Sequence, residues 1–381
     1  SRPAPPFRRI DDRVVAMRVA IAAGGTAGHA VPALAVAEAL RRRGDEVVFF
    51  GGERAEAELV PAAGFEFRRL RLTGLDRRNP LKAARAIWLA WRGVFAARRL
   101  LKAERIESVM AGGGYVAGPV GLAAVTLRLP LIVTEADAHL GVANRLLAPF
   151  ARRVCLAFEL ERRSGGKYLV TGRPIAPRRD EIDRATARRR FGLPEDGACL
   201  LVFGGSLGAR TINRATLDAF ADGVPTGMCV LHLAGRGDFT ACRELLEDSP
   251  ALADSAAHAR YRLFDYTDDF DVALAAGDIS VCRAGGSIFE LAAAGLPSIL
   301  VPYPHATSDH QTKNARWLVA GGAALMLRDE ELTGERLRRL VGELLGDRTR
   351  LAAMRDAALY LAKPDAAERI ADQLVAAADA S

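Results

Sequence analysis

Val19-Ala20-Ile21-Ala22-Ala23-Gly24-Gly25-Thr26-Ala27-Gly28-His29 reads as a short apolar run, a glycine-rich turn and the start of a helical pattern. The apolar run suits a strand buried on both faces. The turn lets backbone N–H groups approach an anion at a helix N-terminus. The same build recurs at Leu200-Leu201-Val202-Phe203-Gly204-Gly205-Ser206-Leu207-Gly208-Ala209-Arg210. Two such turns in one chain predict two α/β domains facing each other across a cleft.

Outward from these turns, apolar strand-like runs alternate with helical stretches. The first half carries them at 18–23, 47–50, 108–110, 131–134 and 167–171, the second at 199–203, 228–233, 260–264, 279–281 and 298–301. Such alternation predicts βαβ units and parallel sheets. The run ending at Thr171 meets Gly172-Arg173-Pro174-Ile175-Ala176-Pro177, whose two prolines stop regular structure, so the hinge is placed here. The expected organisation is a flexible extension over 1–16 with no assigned role, a first domain over 17–172, a second over 173–363 and a last helix over 364–381. Met17 is a candidate natural start, and the break at Lys363-Pro364 opens the last helix.

A chain of 381 residues, 50% of them hydrophobic, is long enough to bury two cores. Its net charge of +7 favours an acidic partner: a nucleotide, a phospholipid surface or nucleic acid. Cys155, Cys199, Cys229, Cys242 and Cys282 are odd in number and form no CxxC pair. They read as buried thiols in a reducing compartment, not as disulfides or a zinc site. No run reaches the roughly 18 apolar residues that a transmembrane helix needs.

The first turn lacks the Lys-Ser/Thr that ends a phosphate loop of the Walker type, and it does not match the dinucleotide fingerprint. ATP hydrolysis and hydride transfer are therefore disfavoured. His29 at the mouth of a strand–turn–helix suits a general base, since imidazole titrates near neutrality. The other reading is a histidine capping its own turn. A third glycine cluster, Gly112-Gly113-Gly114-Tyr115-Val116-Ala117-Gly118-Pro119, either admits a group close to the backbone or makes a tight strand-to-helix connection.

The most specific stretch is Cys282-Arg283-Ala284-Gly285-Gly286-Ser287-Ile288-Phe289-Glu290, where a strand feeds a Gly-Gly-Ser turn and a helix. The turn can offer N–H groups and a hydroxyl to a diphosphate. Glu290, about one helical turn in, can accept two hydrogen bonds from a ribose diol, or is an acid favoured by the helix dipole. Gln311 and Asn314 follow the next strand, where an open α/β sheet binds ligand, and their amides can read sugar hydroxyls. From Arg77 to Lys102 the chain has no Asp or Glu. Arg85 and Arg92 there are interleaved with Leu81, Ile87, Trp88, Trp91 and Phe95, with Leu75 just upstream. Asn79-Pro80 is a plausible helix start. The pattern suits a helix lying on an anionic membrane surface, or a basic outer face over an ordinary core stripe. No nucleic-acid motif accompanies the charge.

Taken together, GGTAGH at 24–29, GGGYVAGP at 112–119, the Glu135 region, GGSLGA at 204–209, CRAGGSIFELAAAGLP at 282–297 and DHQTKN at 309–314 closely resemble one family in order and spacing. It is that of the bacterial UDP-N-acetylglucosamine:lipid I N-acetylglucosaminyltransferases, the MurG-type enzymes of glycosyltransferase family 28. The resemblance covers nearly all of the chain from Met17 to the last helix. It implies a GT-B fold of two Rossmann-like domains, with the donor in the second and the final helix returning to the first. It implies inverting transfer of GlcNAc from UDP-GlcNAc to the 4-hydroxyl of undecaprenyl-diphospho-N-acetylmuramoyl-pentapeptide (lipid I), giving β-1,4-linked lipid II for peptidoglycan synthesis. The expected place is the cytoplasmic face of the cell membrane, held peripherally, with other cell-wall synthesis proteins as further candidate partners.

Carried over residue by residue, the resemblance gives the donor diphosphate to Ser206 and the Gly204–Gly208 loop, with Gly286 and Ser287 beside diphosphate and sugar. It gives uracil to backbone near Thr267, the ribose to Glu290, and GlcNAc hydroxyls to Gln311, with Asn314 on the same helix start. The acceptor diphosphate falls to Gly24, Gly25, Thr26 and Gly28, close to His29, with Gly113, Gly114, Tyr115 and Glu135 on the acceptor side. Leu75 to Phe95 form the membrane patch. Three departures stand out. Thr134-Glu135-Ala136-Asp137 replaces the family's His-Glu-Gln-Asn, so Asp137 inherits the place of an Asn that reaches GlcNAc. Gly172-Arg173-Pro174-Ile175-Ala176 replaces Gly-Asn-Pro-Val-Arg, leaving Arg173 to substitute for the phosphate-binding Arg. Leu207 replaces a common Gln.

The expected base is His29, with Asp137 the next candidate. No Asp-x-Asp motif stands beside the proposed diphosphate site, so no metal or cofactor is expected to be obligatory, and a divalent cation is expected to stimulate at most. The rival readings are another lipid-acceptor GT-B enzyme of the diacylglycerol type, a non-catalytic UDP-sugar-binding scaffold, and the sugar-nucleotide epimerase that shares this fold.

Overall fold

The computed structural model describes residues 16–74, 79–160, 163, 165–176, 182–205, 207–253, 259–306 and 309–380. The extension over 1–15, Leu75 of the basic segment and Ser206 of the second glycine turn lie outside the described residues. The chain forms two compact units, Ser1–Ala176 with Asp365–Ser381, and Pro177–Pro364.

The first unit is built on a seven-stranded parallel sheet in the order β3-β2-β1-β4-β5-β6-β7. Its strands are β1 (Arg18–Ala22), β2 (Glu46–Gly51), β3 (Glu66–Arg69), β4 (Ser108–Ala111), β5 (Leu131–Glu135), β6 (Arg153–Leu156) and β7 (Tyr168–Val170). Helices α1 (Ala27–Arg42), α2 (Glu56–Ala62), α3 (Pro80–Ala103), α4 (Gly114–Leu127) and α5 (Val142–Leu147) connect them. The order turns back between β1 and β4, the switch point at which doubly wound sheets place ligands. Side-chain alternation along the strands feeds two cores. Ala20 and Ala22 of β1 join Val48, Phe50, Val109 and Val133 against α4, while Val19 and Ile21 join Val47, Phe49 and Ile132 against α1. The alanines let α4 settle close to the central strand.

The second unit repeats the pattern with six parallel strands, β10-β9-β8-β11-β12-β13. These are β8 (Ala198–Phe203), β9 (Met228–Leu233), β10 (Tyr261–Phe264), β11 (Ile279–Cys282), β12 (Ser298–Leu300) and β13 (Ala324–Met326). Its helices are α6 (Arg184–Arg190), α7 (Arg210–Ala219), α8 (Phe239–Glu247), α9 (Pro250–Ala253), α10 (Phe270–Ala276), α11 (Ile288–Ala294), α12 (His310–Ala320), α13 (Gly334–Gly346) and α14 (Arg348–Leu361). Leu200, Val202, Val230, Val281 and Ile299 meet Ile212 of α7 and Leu337 and Val341 of α13 in one core. The basic stretch after the hinge becomes α6, whose Arg188 is buried. Its guanidinium donates to Asp278 (2.6 Å) and to the carbonyls of Ala276, Glu195 and Gly197. All five cysteines are buried and free of disulfides.

The last helix, α15 (Ala366–Asp379), belongs to the first unit although it follows the second in sequence. Ala367, Ile370, Ala371, Leu374 and Ala377 recur at helical spacing and enter the core beside α1. Arg43 pairs with Asp372 and Arg42 with Glu368, each at 2.6 Å. Helix α15 is thus part of the first unit's core layer. Leu374 is fully buried whereas Tyr360 of α14 is 89% exposed. Leu374→Ala should cost about 2–5 kcal/mol in chemical denaturation, and Tyr360→Ala should stay within about 0.5 kcal/mol of the parent.

Candidate functional site

Strand β1 ends at Ala22 and the chain turns through Gly24 and Gly25 into α1. Thr26 is the N-cap, in extended backbone and without a side-chain capping bond. The carbonyl of Thr26 accepts from the amides of His29 and Ala30. The amides of Thr26, Ala27 and Gly28 have no partner among the described residues, and these three residues are exposed. Unbonded amides at a helix N-terminus are the donors an anion needs.

The His29 ring bonds back to the Thr26 side chain of its own turn. Its Nδ1 lies 3.3 Å from Thr26 Oγ1, and the ring rests against the third glycine cluster. A Cβ on Gly113 would stand 2.7 Å from His29 Cδ2, and one on Gly114 only 1.8 Å from the Gly24 carbonyl oxygen. Both glycines also have positive φ, so no other residue fits there. The cluster therefore serves both readings at once: it is a tight connection into α4, and it brings α4 against the first turn. Burial lowers the His29 pKa below 6.5, Asp137 opposes the shift, Arg173 adds to it and Glu56 opposes it.

Strand β5 ends in Glu135, and the loop after it supplies Asp137. Glu135 is buried, and its carboxylate accepts from the amides of Asp137 (3.2 Å) and Gly141 (2.8 Å) and from Asn144 Nδ2 (2.9 Å). Burial pushes its pKa up, against those donors. Its bonds shape the loop, and Asp137, half-buried, is the carboxylate near His29. Arg173 lies in the same place. It is buried in the first unit and donates to the carbonyls of Gly28 (2.8 Å) and Ala136 (3.3 Å), which keeps 172–176 with that unit. His29, Glu135, Thr134, Ala136, Gly172 and Pro174 line one pocket.

Two residues of this region do not stand out in the sequence. Asn144, on α5, donates to Glu135 and to the Thr134 carbonyl, while its buried Oδ1 has no partner. Glu56 is fully buried. Its carboxylate accepts from the Gly25 amide (2.8 Å), the Gly52 amide (3.0 Å) and the Tyr115 hydroxyl (2.7 Å). Burial raises the Glu56 pKa, but these donations outweigh it and hold the carboxyl below the usual range. Burial and Glu56 push Tyr115 up to about 12. The available signal was Gly51-Gly52 closing β2, a further strand–glycine turn, followed by an acid in the first turn of α2.

In the second unit, Gly204, Gly205, Leu207 and Gly208 lie between β8 and α7. Gly208 has φ of +89°, and a Cβ there would stand 2.4 Å from the Ala234 carbonyl oxygen. Leu207 is 83% exposed. Between β11 and α11 come Gly285, Gly286 and Ser287, all half-buried, and Glu290 is half-buried in the first turn. Arg283, buried, joins the ends of β11 and β12 through the carbonyls of Val301 and Pro302 and pairs with Asp329. At the start of α12, Gln311 Oε1 accepts from the Tyr303 amide (2.9 Å). Asn314 Nδ2 donates to the Ala284 carbonyl (3.1 Å), and its buried Oδ1 has no partner. Thr267 lies between β10 and α10, its hydroxyl accepting from the Asp269 amide (3.0 Å). Of the residues expected on the donor side, those described here follow the carboxyl ends of the second sheet's strands, whereas Arg173 follows β7 of the first sheet.

The basic segment forms α3, capped by Asn79, whose side chain accepts from the amides of Leu81 and Lys82. Its aromatic residues do not form the core stripe. Ala97 and Leu101 are buried, whereas Leu81, Ile87, Trp88, Trp91 and Phe95 are more than half exposed. The Arg92 guanidinium sits 4.7 Å from the Trp88 ring centroid, and Trp91 meets Phe95 edge-on. Arg85 is exposed on the same helix. Among the described residues, no helix is long and apolar enough to cross a membrane, and no group of three His, Cys, Asp or Glu could hold a metal ion.

Comparison with known proteins matches each of the two units to a domain of one family. Residues 19–156 match the glycosyltransferase family 28 N-terminal domain, and residues 199–370 the family's C-terminal domain. A protein of Halorhodospira halophila is 42% identical over 360 residues, covering 93% of this chain and 96% of its own length. One from Moorella thermoacetica is 40% identical over 364 residues, covering 93% and 97%. Both are named UDP-N-acetylglucosamine–N-acetylmuramyl-(pentapeptide) pyrophosphoryl-undecaprenol N-acetylglucosamine transferase. The crystal structure of MurG from Acinetobacter baumannii superposes with a TM-score of 0.74 at 29% identity, covering 94% of this chain and 99% of that one. UDP-GlcNAc 2-epimerase from Neisseria meningitidis, at 13% identity and a TM-score of 0.66, shares the fold. The chain belongs to glycosyltransferase family 28, with both domains of that family present in order.

Proposed function

We propose that this chain transfers GlcNAc from UDP-GlcNAc to the 4-hydroxyl of the muramoyl-pentapeptide in an undecaprenyl-diphosphate acceptor, with inversion at C1. The observation that carries the reading is the grouping of His29, Asp137 and three unbonded amides at the mouth of β1. This grouping supports a base and an anion site on the first unit, with Glu290, read here as the ribose contact, on the second. An epimerase or a UDP-sugar-binding scaffold has no need of that second, acceptor-type site. The names carried by relatives at 35–42% identity favour the muramoyl acceptor over a diacylglycerol one.

In this reading the acceptor diphosphate meets the amides of Thr26, Ala27 and Gly28. His29 with Nδ1–H donated to Thr26 keeps its lone pair on Nε2. The acceptor oxygen attacks C1, the bond from C1 to the diphosphate oxygen breaks, and Nε2 takes the hydroxyl proton. Charge developing on UDP is met by the Gly285–Ser287 turn and by Ser206 with the Gly204–Gly208 loop. Arg173, anchored beside His29, keeps the imidazole neutral and ready to accept. A metal is dispensable. The exposed aromatic face of α3, ringed by Arg85 and Arg92, rests on an anionic membrane surface on the cytoplasmic side.

The direct test is transfer of radiolabel from UDP-GlcNAc to a short-chain lipid I analogue, with diacylglycerol and no acceptor as controls. Label in the muramoyl product alone is expected; label in diacylglycerol, or free UDP without acceptor, contradicts the reading. His29→Ala should lower kcat about 10²–10⁴-fold. Retained turnover in His29→Ala with loss in Asp137→Ala would reverse the assignment of the base.

The pH profile carries a sign. The base works as the neutral imidazole, so kcat/KM should be flat through pH 7 and fall only below 6.5, as the lowered His29 pKa is crossed. Asp137→Asn removes an influence that raises that pKa, so the acid limb should move further down. A limb moving up contradicts this.

Chelation with EDTA should leave most of the activity, and its abolition would show an obligatory metal. Trp88→Glu with Trp91→Glu should weaken sedimentation with phosphatidylglycerol vesicles at least tenfold; unchanged sedimentation removes α3 from the membrane.

A further inference from the structure

Glu56 takes no part in the chemistry just described, yet it is the charged group packed closest to the first glycine turn. Its Cδ would lie 2.8 Å from a Cβ on Gly24, and its Cγ 2.8 Å from one on Gly51. Three backbone segments therefore converge on one carboxylate: the β1–α1 turn, the end of β2 and, through Tyr115, the first turn of α4. On its other side the turn meets α4 again, at Gly114.

Resting on the acceptor reading above, we infer that Glu56 is a positioning residue for acceptor binding, fixing the first turn by holding the Gly25 amide, the Gly52 amide and the Tyr115 hydroxyl on one buried carboxylate. Two consequences follow from the geometry. The Gly25 amide, a natural donor to a diphosphate, is already engaged, so the acceptor's phosphates fall to Thr26, Ala27 and Gly28. And a negative charge beside an anion site is kept from competing for those amides only while its own donors hold it in place. Arg54, whose guanidinium lies 5.3 Å from the Tyr115 ring centroid, covers that ring.

Glu56→Gln keeps the volume but turns one acceptor oxygen into an NH₂. The amide oxygen keeps two donors by facing Gly52 and Tyr115, so Gly25 loses its acceptor. Tyr115→Phe removes one donor of the three and leaves the carboxylate. The test measures kcat, acceptor KM and UDP-GlcNAc KM for the parent, both single variants and the double variant, with hydrogen exchange of the peptide spanning Gly24–Gly28 in each.

Glu56→Gln is expected to raise acceptor KM about tenfold, with UDP-GlcNAc KM changed less than about twofold. Exchange at Gly25 should be faster, and the double variant should be no worse than Glu56→Gln alone. An unchanged acceptor KM in a folded Glu56→Gln, or acceptor and donor KM rising together, overturns the inference. Should Glu56→Gln not fold, Tyr115→Phe decides by the same KM split. Should the parent itself not use the acceptor, the functional reading fails separately, and unaltered Gly25 exchange in Glu56→Gln would still overturn the hold on the turn.

Discussion

Backbone amides at the carboxyl ends of parallel strands are the feature on which the rest of this protein depends. A parallel strand that runs straight into a helix must turn within a few residues, and the first amides of that helix then have no carbonyl to bond. Glycine is what allows the turn to be so tight that neighbouring backbones touch, as Gly114 does with Gly24 and Gly208 with Ala234. In the first unit this leaves the amides of Thr26, Ala27 and Gly28 without partners among the described residues, and glycine turns stand at the corresponding strand ends of the second.

The refinement differs between the units. In the first, three charged groups surround one imidazole. Asp137 and Glu56 favour its protonation and Arg173 opposes it, while burial dominates and leaves it neutral. The Arg173 guanidinium is anchored on two carbonyls, so its field at His29 is fixed and not a matter of side-chain wandering. In the second unit Asp238 lies beside the Gly208 turn and Arg283 pairs with Asp329, while Glu290 stands with the amides of Gln311 and Asn314 and the hydroxyls of Ser287 and Thr267. That is the composition expected where a nucleotide sugar is read by hydrogen bonds.

Much of this was legible in the sequence because glycine turns and apolar runs are local signals. Strands β1, β8 and β9 appear where the apolar runs stand. Strands β3 (Glu66–Arg69), β6 and β13 do not stand out, because the first is charged and partly exposed and the others are only three or four residues long. Which face of α3 is buried was not legible either: helical spacing puts Trp88, Trp91 and Phe95 on one stripe, and only packing shows that small residues such as Ala97 face the core instead. Glu56 was invisible for a different reason. Gly52 stands four residues before it, but Gly25 and Tyr115 lie 31 and 59 residues away, so spacing reveals only one of its three partners. Arg173 reads from sequence as a donor-phosphate contact, whereas its bonds run to the Gly28 and Ala136 carbonyls of the first unit.

The division of labour between the units is the central claim, and a crystal structure of the chain with UDP-GlcNAc tests it most directly. The account predicts the nucleotide on the second unit, with the ribose diol on Glu290, uracil against the backbone near Thr267 and the diphosphate at the Gly285–Ser287 turn. A nucleotide seated instead on the Gly24–His29 turn of the first unit would contradict it.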